Sequence, residues 1–360
     1  MNGTVVPHIM ELDELTTQLP AEERRRFERI FLVSKAVGRL RIPPAMREWV
    51  KANFGSLEEV QEQTVLRVTN RITLEGTLFN PLRGRRPLPI DPARLEEDIL
   101  STQGDMFCDP ENQTPADVFG RVRGKYALTA SNVAKCDGFH GVVVFQEHHP
   151  LRFSEEQVID YFDVALRWAK EAHNADRGAR YFFFLWNCLW KAGASILHGH
   201  AQMTLTRDMH YPKVEHWRRA AQLYQLGHGT NYFDDLIAVH RALGLAVDMP
   251  GAVILAHLTP VKEKEMLVIG ERPDIPFRQA VYRALETLVG RLDAQSFSLA
   301  LYWRPIDGVS EDWEGFPTIV RVVDRGPLYS RTADIGSMEL YAASVVSTDP
   351  FDVARALRQA

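Results

Sequence analysis

The chain has 360 residues, 45% of them hydrophobic and 25% charged, with a formal net charge of −5. That length can bury more than one small core, and the ordinary balance excludes a disordered or collagen-like chain. Mild acidity without a basic tract argues against nucleic acid as the main partner. Three scattered cysteines, Cys108, Cys136 and Cys188, make no disulfide framework and point to a reducing cytoplasm. No basic segment followed by an apolar run stands at the N-terminus, so no signal peptide is expected. The most apolar window, 181–190, is about half of what a membrane span needs, so no membrane is expected either.

In chain order, residues 10–40 read as helical, with Leu12, Leu15, Leu19, Phe27, Ile30, Phe31 and Val37 as the apolar stripe and a break at Pro20. The charges of 22–26 read as a solvated helix face. After Pro43-Pro44 a second short helix is predicted over 45–54, so residues 1–60 form an N-terminal helical extension. Alternation at 65–69 and 78–81 then marks strands, followed by the cationic turn Arg83-Gly84-Arg85-Arg86-Pro87. That turn is either a solvated loop or a phosphate clamp working through forked hydrogen bonds.

Residues 88–125 are irregular, and a lone Cys108 within them reads as a small buried apolar residue. Strands are predicted at 141–145 and 181–186. Between them Ser154-Glu155-Glu156-Gln157 is a capping box opening a helix with Val158, Tyr161, Phe162, Ala165, Trp168 and Ala172 inward. Helices follow Pro212 and span 232–243. Strands are predicted at 252–256 and 265–270, a helix at 275–292, strands at 297–303, 318–323 and 337–346, and a closing helix with Thr348 as cap. The order strand, turn, long helix, strand occurs at 141–186 and again at 265–303, which suggests an internal duplication of about 150 residues. The expected organisation is 1–60, 61–210 and 211–360.

One stretch stands apart. In Gly193-Ala194-Ser195-Ile196-Leu197-His198-Gly199-His200-Ala201-Gln202, an extended chain puts His198, His200 and Gln202 on one face. Such a face either meets water or carries chemistry. Asn187, Gly193 and Ser195 add small and hydrogen-bonding groups just upstream, as a site bringing a phosphate to an imidazole would need.

These residues resemble the galactose-1-phosphate uridylyltransferase branch of the histidine-triad superfamily. Its motif runs Asn, several residues, Gly-x-Ser, then His-x-His-x-Gln. Phe79-Asn80-Pro81 with Arg86-Pro87, Phe107-Cys108 with Glu111-Asn112 and Thr114-Pro115, 145–149, and 304–308 resemble other elements of that branch in the same order. The likeness spans about residues 65 to 358 and is dense only over 187–202. It implies an α+β fold of two histidine-triad-like halves, with antiparallel sheets, packed helices and the N-terminal helical extension. The implied activity is nucleotidyl transfer between a nucleoside-diphosphate sugar and a sugar 1-phosphate. Imidazole suits the chemistry, being unprotonated near neutral pH, and the resemblance makes His200 the nucleophile. Gln202 stands where the family's hydrolases carry a third histidine. An amide donates to phosphoryl oxygens but is no acid or base, which favours transfer over hydrolysis. Asn187 and Ser195 would bind phosphoryl oxygens, Arg86 would balance their charge, and Asn132 matches an asparagine near the nucleoside.

The resemblance also implies a structural zinc at Asp105, Cys108, His149 and His198, with Asp105 in place of a first cysteine. At the second-half metal positions stand Tyr302 and residues 320–322, so no metal is expected there. Gly199 replaces the usual proline. Partners implied are a nucleotide-sugar, a sugar phosphate and a second copy of the chain in a homodimer. Two alternatives remain open: a phosphorylase splitting ADP-glucose or a diadenosine polyphosphate with inorganic phosphate, and a non-catalytic nucleotide-binding protein.

Overall fold

A computed structural model describes residues 7–360. Among the described residues, thirteen strands form two sheets. The smaller contains β1 (Phe31–Arg39), β2 (Glu62–Asn70), β3 (Gly76–Phe79) and β13 (Ser344–Val346), in the order β1-β2-β3-β13. The larger contains β4 (Ala127–Ser131), β5 (Phe139–Phe145), β6 (Ala179–Cys188), β7 (His200–Arg207), β8 (Ala246–Met249), β9 (Ala252–Ala256), β10 (Met266–Gly270), β11 (Phe297–Tyr302) and β12 (Thr318–Asp324). Its order is β4-β5-β7-β6-β11-β12-β10-β9-β8, and β6 pairs antiparallel with β11 at its centre. On either side of that seam the strands lie first, second, fourth, third: β4-β5-β7-β6 and β9-β10-β12-β11. A helix follows the second strand in each set, Glu155–Ala175 and Ile275–Glu286.

The first of these helices opens with the expected capping box: Ser154 accepts from Gln157 N, and the Gln157 side chain accepts from Ser154 N. Its apolar stripe is buried against β5, β6 and β7. Tyr161 stacks on Phe145 with ring centroids 3.6 Å apart, and Trp168 lies over Gly141, where a Cβ would come within 2.7 Å of the indole. This close approach is why the strand carries glycine there. The helix-covered face holds the main core, including Phe184, Trp186, Met203 and Phe297, and leaves the other face of β5, β6 and β7 to carry the polar residues.

Several expectations change. Helix ends at Ile30, and residues 31–39 form β1 along β2, so the first 60 residues are more than a helical extension. Val33 and Val37 stand four apart, as on a helix face, and pairing with β2 overrides that local period. Arg24 and Glu28 pair on the solvated face, but Arg26 reaches the buried Asp235 at 3.0 Å and ties that helix to Tyr232–Ala242. Residues 337–346 form a short helix, Ser337–Tyr341, before β13. Asp349, not Thr348, caps the closing helix, its carboxylate accepting from Phe351 N at 2.8 Å and from Ile9 N at 2.9 Å. The 61–210 and 211–360 segments share the large sheet, while β13 joins the early strands in the small one. Among the described residues, no helix is long and apolar enough to cross a membrane.

Candidate active site on the open sheet face

Strand pairing sorts the side chains. Val144 lies opposite His200, Val142 opposite Gln202, and Gln202 opposite Leu185, so His200, Gln202, Leu185 and Asn187 share the face away from the long helices. Val142 and Val144 form a separate small cluster there with Ala130 and Phe107. The Phe107 ring meets His200 edge-on at 5.3 Å and His198 at 6.0 Å.

His200 opens β7 and is buried. Its Nδ1 lies 2.8 Å from the His198 carbonyl oxygen, which only accepts, so Nδ1 carries the proton and Nε2 keeps the lone pair. Burial, the largest cause, pushes the imidazole pKa below its ordinary value, against the bond to the His198 carbonyl, which works to raise it. The result is a neutral imidazole with a fixed tautomer.

Gln202 Oε1 lies 2.9 Å from His140 Nε2 on β5, and Asn132 Nδ2 approaches the same nitrogen at 3.3 Å. His140 was not among the sequence candidates; its only signal is a histidine in an otherwise apolar strand, two residues out of register with Gln202. Asn187 lines a cavity of about 580 Å³ with Leu185, Trp217, Ser298, Tyr302 and Arg321. Ser195 is exposed in the loop before the motif. The structure does not bring Arg86 to Asn187: it is exposed and lines a separate cavity of about 440 Å³ with Arg83, Lys191, Lys262 and Arg325. Arg85 is committed elsewhere, donating to the Phe54 carbonyl and to Glu59.

The metal-ligand set differs by one residue from the expected one. Asp105, Cys108, His148 and His198 converge, their ligand atoms within 4.8 Å of one another. His149 turns away, its Nδ1 accepting from Leu151 N and its Nε2 facing Glu96. The physical reason is the sharp turn leaving β5, which the sequence spacing does not resolve to a single position. Cys108, expected as a buried apolar residue, is exposed here, with Sγ 3.5 Å from His148 Nδ1 and 3.6 Å from His198 Nδ1.

The donor set fits a divalent cation such as zinc. His198 Nε2 donates to the Phe145 carbonyl at 2.8 Å and His148 Nε2 to the Ile99 carbonyl at 3.0 Å. Both Nδ1 atoms therefore present lone pairs to each other, 3.0 Å apart. Two facing lone pairs repel unless a cation lies between them, and this carbonyl support is how metal-bound histidines are commonly held. Asp105 Oδ2 is buried with no hydrogen-bond partner among the described residues. Gly199 belongs to the same device. Its amide donates to the His148 carbonyl at 3.0 Å, and a Cβ there would come within 2.8 Å of the Glu147 carbonyl oxygen. A proline could neither donate nor fit.

Across the seam the equivalent surface is different. Arg321 on β12 is buried, bonding Glu265 at 2.7 Å and Glu75 at 2.6 Å, with Trp217 under its guanidinium at 4.8 Å. Burial alone would raise the Glu75 carboxyl, but the Arg321 charge, with His257, holds it at about 2. Tyr302 lines the same cavity as Arg321, and Arg321 lies between Val320 and Val322 on β12.

No family model matches the sequence, and no curated protein matches it. Solved structures do match in fold. An ADP-glucose phosphorylase from Arabidopsis thaliana, with ADP-glucose bound, superposes with a TM-score of 0.62 at 15% identity, over 81% of this chain and 98% of that one. A GalT-like protein from Arabidopsis thaliana gives 0.57 at 16% identity, over 71% and 92%. A uridylyltransferase gives 0.56 at 14% identity, over 82% and 98%. The chain thus has the α+β fold of these three solved structures.

Proposed function

We propose that the protein is a nucleotidyltransferase that moves a nucleoside monophosphate from a nucleoside-diphosphate sugar to a sugar 1-phosphate through a nucleotidyl-histidine at His200. The observation that carries this reading is the fixed, neutral His200, with Nδ1–H on the His198 carbonyl and Gln202 beside it on the same face. The Nε2 lone pair attacks the α-phosphorus, a bond forms from nitrogen to phosphorus, and the bond to the bridging oxygen breaks. The sugar 1-phosphate leaves with that electron pair. The His198 carbonyl then faces the Nδ1–H of a ring that has become cationic, which stabilises the intermediate. In the second half-reaction an acceptor phosphate oxygen attacks the same phosphorus and frees Nε2. Gln202 and Asn187 supply amide donors for the phosphoryl oxygens, Ser195 a hydroxyl, and Asn132 a nucleoside contact; Gln202 has no proton to exchange with water, which disfavours hydrolysis.

A second reading shares the first half-reaction: a phosphorylase in which inorganic phosphate is the acceptor. The ADP-glucose phosphorylase among the similar structures supports it. Asp105, Cys108, His148 and His198 would hold a structural zinc ion, whose charge locks the turn carrying His148 against the strand carrying His200. A cytoplasmic, homodimeric enzyme completes the proposal; these two features rest on the cysteine usage and the family resemblance.

The test is intact-protein mass spectrometry after mixing with UDP-glucose, ADP-glucose or GDP-mannose. A gain of roughly 306 or 329 Da marks one UMP or AMP on the nucleophile, acid-labile and absent in His200→Ala. Discharge of the label by glucose 1-phosphate or galactose 1-phosphate supports the transferase. Discharge by inorganic phosphate alone, yielding ADP or UDP, selects the phosphorylase. No label from any donor sinks both.

A further inference from the structure

We infer that His140 is a positioning residue that sets which end of the Gln202 amide faces the reacting phosphate. The inference rests on the nucleotidyl-transfer reading above and adds to it a residue outside the motif.

A glutamine amide is nearly symmetric in shape, and its two ends have opposite chemistry: one accepts, the other donates twice. For Gln202 to help a phosphoryl group, its NH2 must face the negatively charged oxygens. With Oε1 there instead, the two acceptors repel. On an open strand face nothing in the side chain itself favours one orientation, so the neighbours decide.

The neighbour is His140, whose own protonation is set by its loop. The Cys136 backbone N–H donates to His140 Nδ1 at 3.1 Å, so Nδ1 holds a lone pair and the ring proton of the neutral form sits on Nε2. That proton can go to Gln202 Oε1, 2.9 Å away. The Asn132 amide, its Oδ1 accepting from Ala134 N at 3.0 Å, turns its Nδ2 donor toward the same nitrogen at 3.3 Å; against a protonated Nε2 it makes no bond, and the closer Gln202 oxygen takes the proton. His140 is itself held on β5, buried, with its carbonyl accepting from Asn132 N at 2.9 Å and from Lys135 Nζ at 3.2 Å. A chain of single-direction bonds therefore runs from the Cys136 amide through the imidazole to Gln202 Oε1, and it leaves the Gln202 NH2 as the free end.

The experiment separates the two sides of the imidazole. His140→Gln puts an amide N–H near the Nε2 position and gives up the acceptor for Cys136. His140→Asn keeps a short acceptor for Cys136 but cannot reach Gln202. Single-turnover nucleotidylation of His200 is followed with UDP-glucose and ADP-glucose as donors, in wild type, His140→Gln, His140→Asn, Gln202→Ala and the His140→Asn/Gln202→Ala double variant. Losing one oriented donor in such a site slows the chemical step by about 10-fold to 100-fold. His140→Asn should show that slowing in the maximal rate, with a smaller effect on half-saturation, while His140→Gln stays within about threefold of wild type. The double variant should be no slower than Gln202→Ala alone. If His140→Gln is the slow one and His140→Asn reacts normally, His140 only supports its loop and the inference is overturned. It is equally overturned if the two losses multiply in the double variant. Absence of any label on the wild-type protein is a different outcome, and it removes the nucleotidyl-transfer reading itself.

Discussion

The two sides of the β6–β11 seam carry the same strand order and opposite electrostatics. On the first side several side chains are left with something unspent among the described residues: the Nε2 lone pair of His200, the free amide end of Gln202, two opposed Nδ1 lone pairs at His148 and His198, and a buried Asp105 oxygen without a partner. On the second, the charges are closed among themselves. Arg321 is sandwiched by Glu75 and Glu265 and lies on Trp217. Unspent hydrogen-bonding capacity in a buried place has a cost in stability, and it is retained where ligands will complete it. A closed ionic cluster has little left to offer a ligand, but it is costly to open. On the proposed reading, one side is set up for chemistry and the other for holding the molecule together.

That contrast can be broken in steps. The largest expected effect is His200→Ala, which should lower nucleotidylation by at least about a thousandfold, because removal of the proposed nucleophile leaves no covalent route. Its unfolding free energy, read from urea denaturation, should stay within about 1 kcal/mol of wild type. Next, Arg321→Met should do the reverse on stability. It strands two buried carboxylates and should reduce unfolding free energy by about 3–5 kcal/mol, read from chemical denaturation. If His200→Ala unfolds the protein and Arg321→Met leaves its midpoint unchanged, the division of labour is wrong. A smaller effect is expected of Gly199→Ala, whose Cβ meets the Glu147 carbonyl and the Phe145 ring at 2.8 Å. A cost of about 1–3 kcal/mol fits such overpacking, and zinc bound per protein, measured by mass spectrometry, should fall with it because the His148 turn must shift.

A further effect, spread over several pH units and read without any variant, is a pH dependence shared by both regions. Burial depresses His210 to about 4 and His240 to about 3. Both folded values lie below the ordinary imidazole value of 6.5, so their contribution to stability is full above that value. It is lost as pH falls toward 4 and 3, because the unfolded chain takes up protons that the folded one refuses. Each group should contribute up to about 1.4 kcal/mol per pH unit in that window. The urea midpoint should decline below pH 6.5, and His240→Gln should flatten the decline. A midpoint independent of pH between 6.5 and 4 contradicts the burial of both rings.

Much of the candidate site was legible as a pattern. Alternation across 200–202 placed His200 and Gln202 on one face, and β7 has that geometry. The long helix at Glu155–Ala175 could be read from its cap and stripe. The less legible parts share a cause: each depends on what lies across space. Whether 31–39 is strand or helix depends on the presence of β2 beside it. His148 and His149 are adjacent, and only the turn after β5 decides which ring faces Cys108. Arg86 follows a motif that resembles a phosphate contact, yet its loop opens onto a different cavity from that of Asn187.

The sequence by itself determined the identity of the candidate groups and their order along the strand, because a period of two is a local property of extended backbone. Tertiary structure alone decided their chemical states. The His198 carbonyl assigns the proton on His200, the Cys136 amide assigns the proton on His140, and the carbonyls of Phe145 and Ile99 turn two histidine lone pairs toward each other. A side chain's composition says what it can donate or accept, and only its neighbours determine which it does.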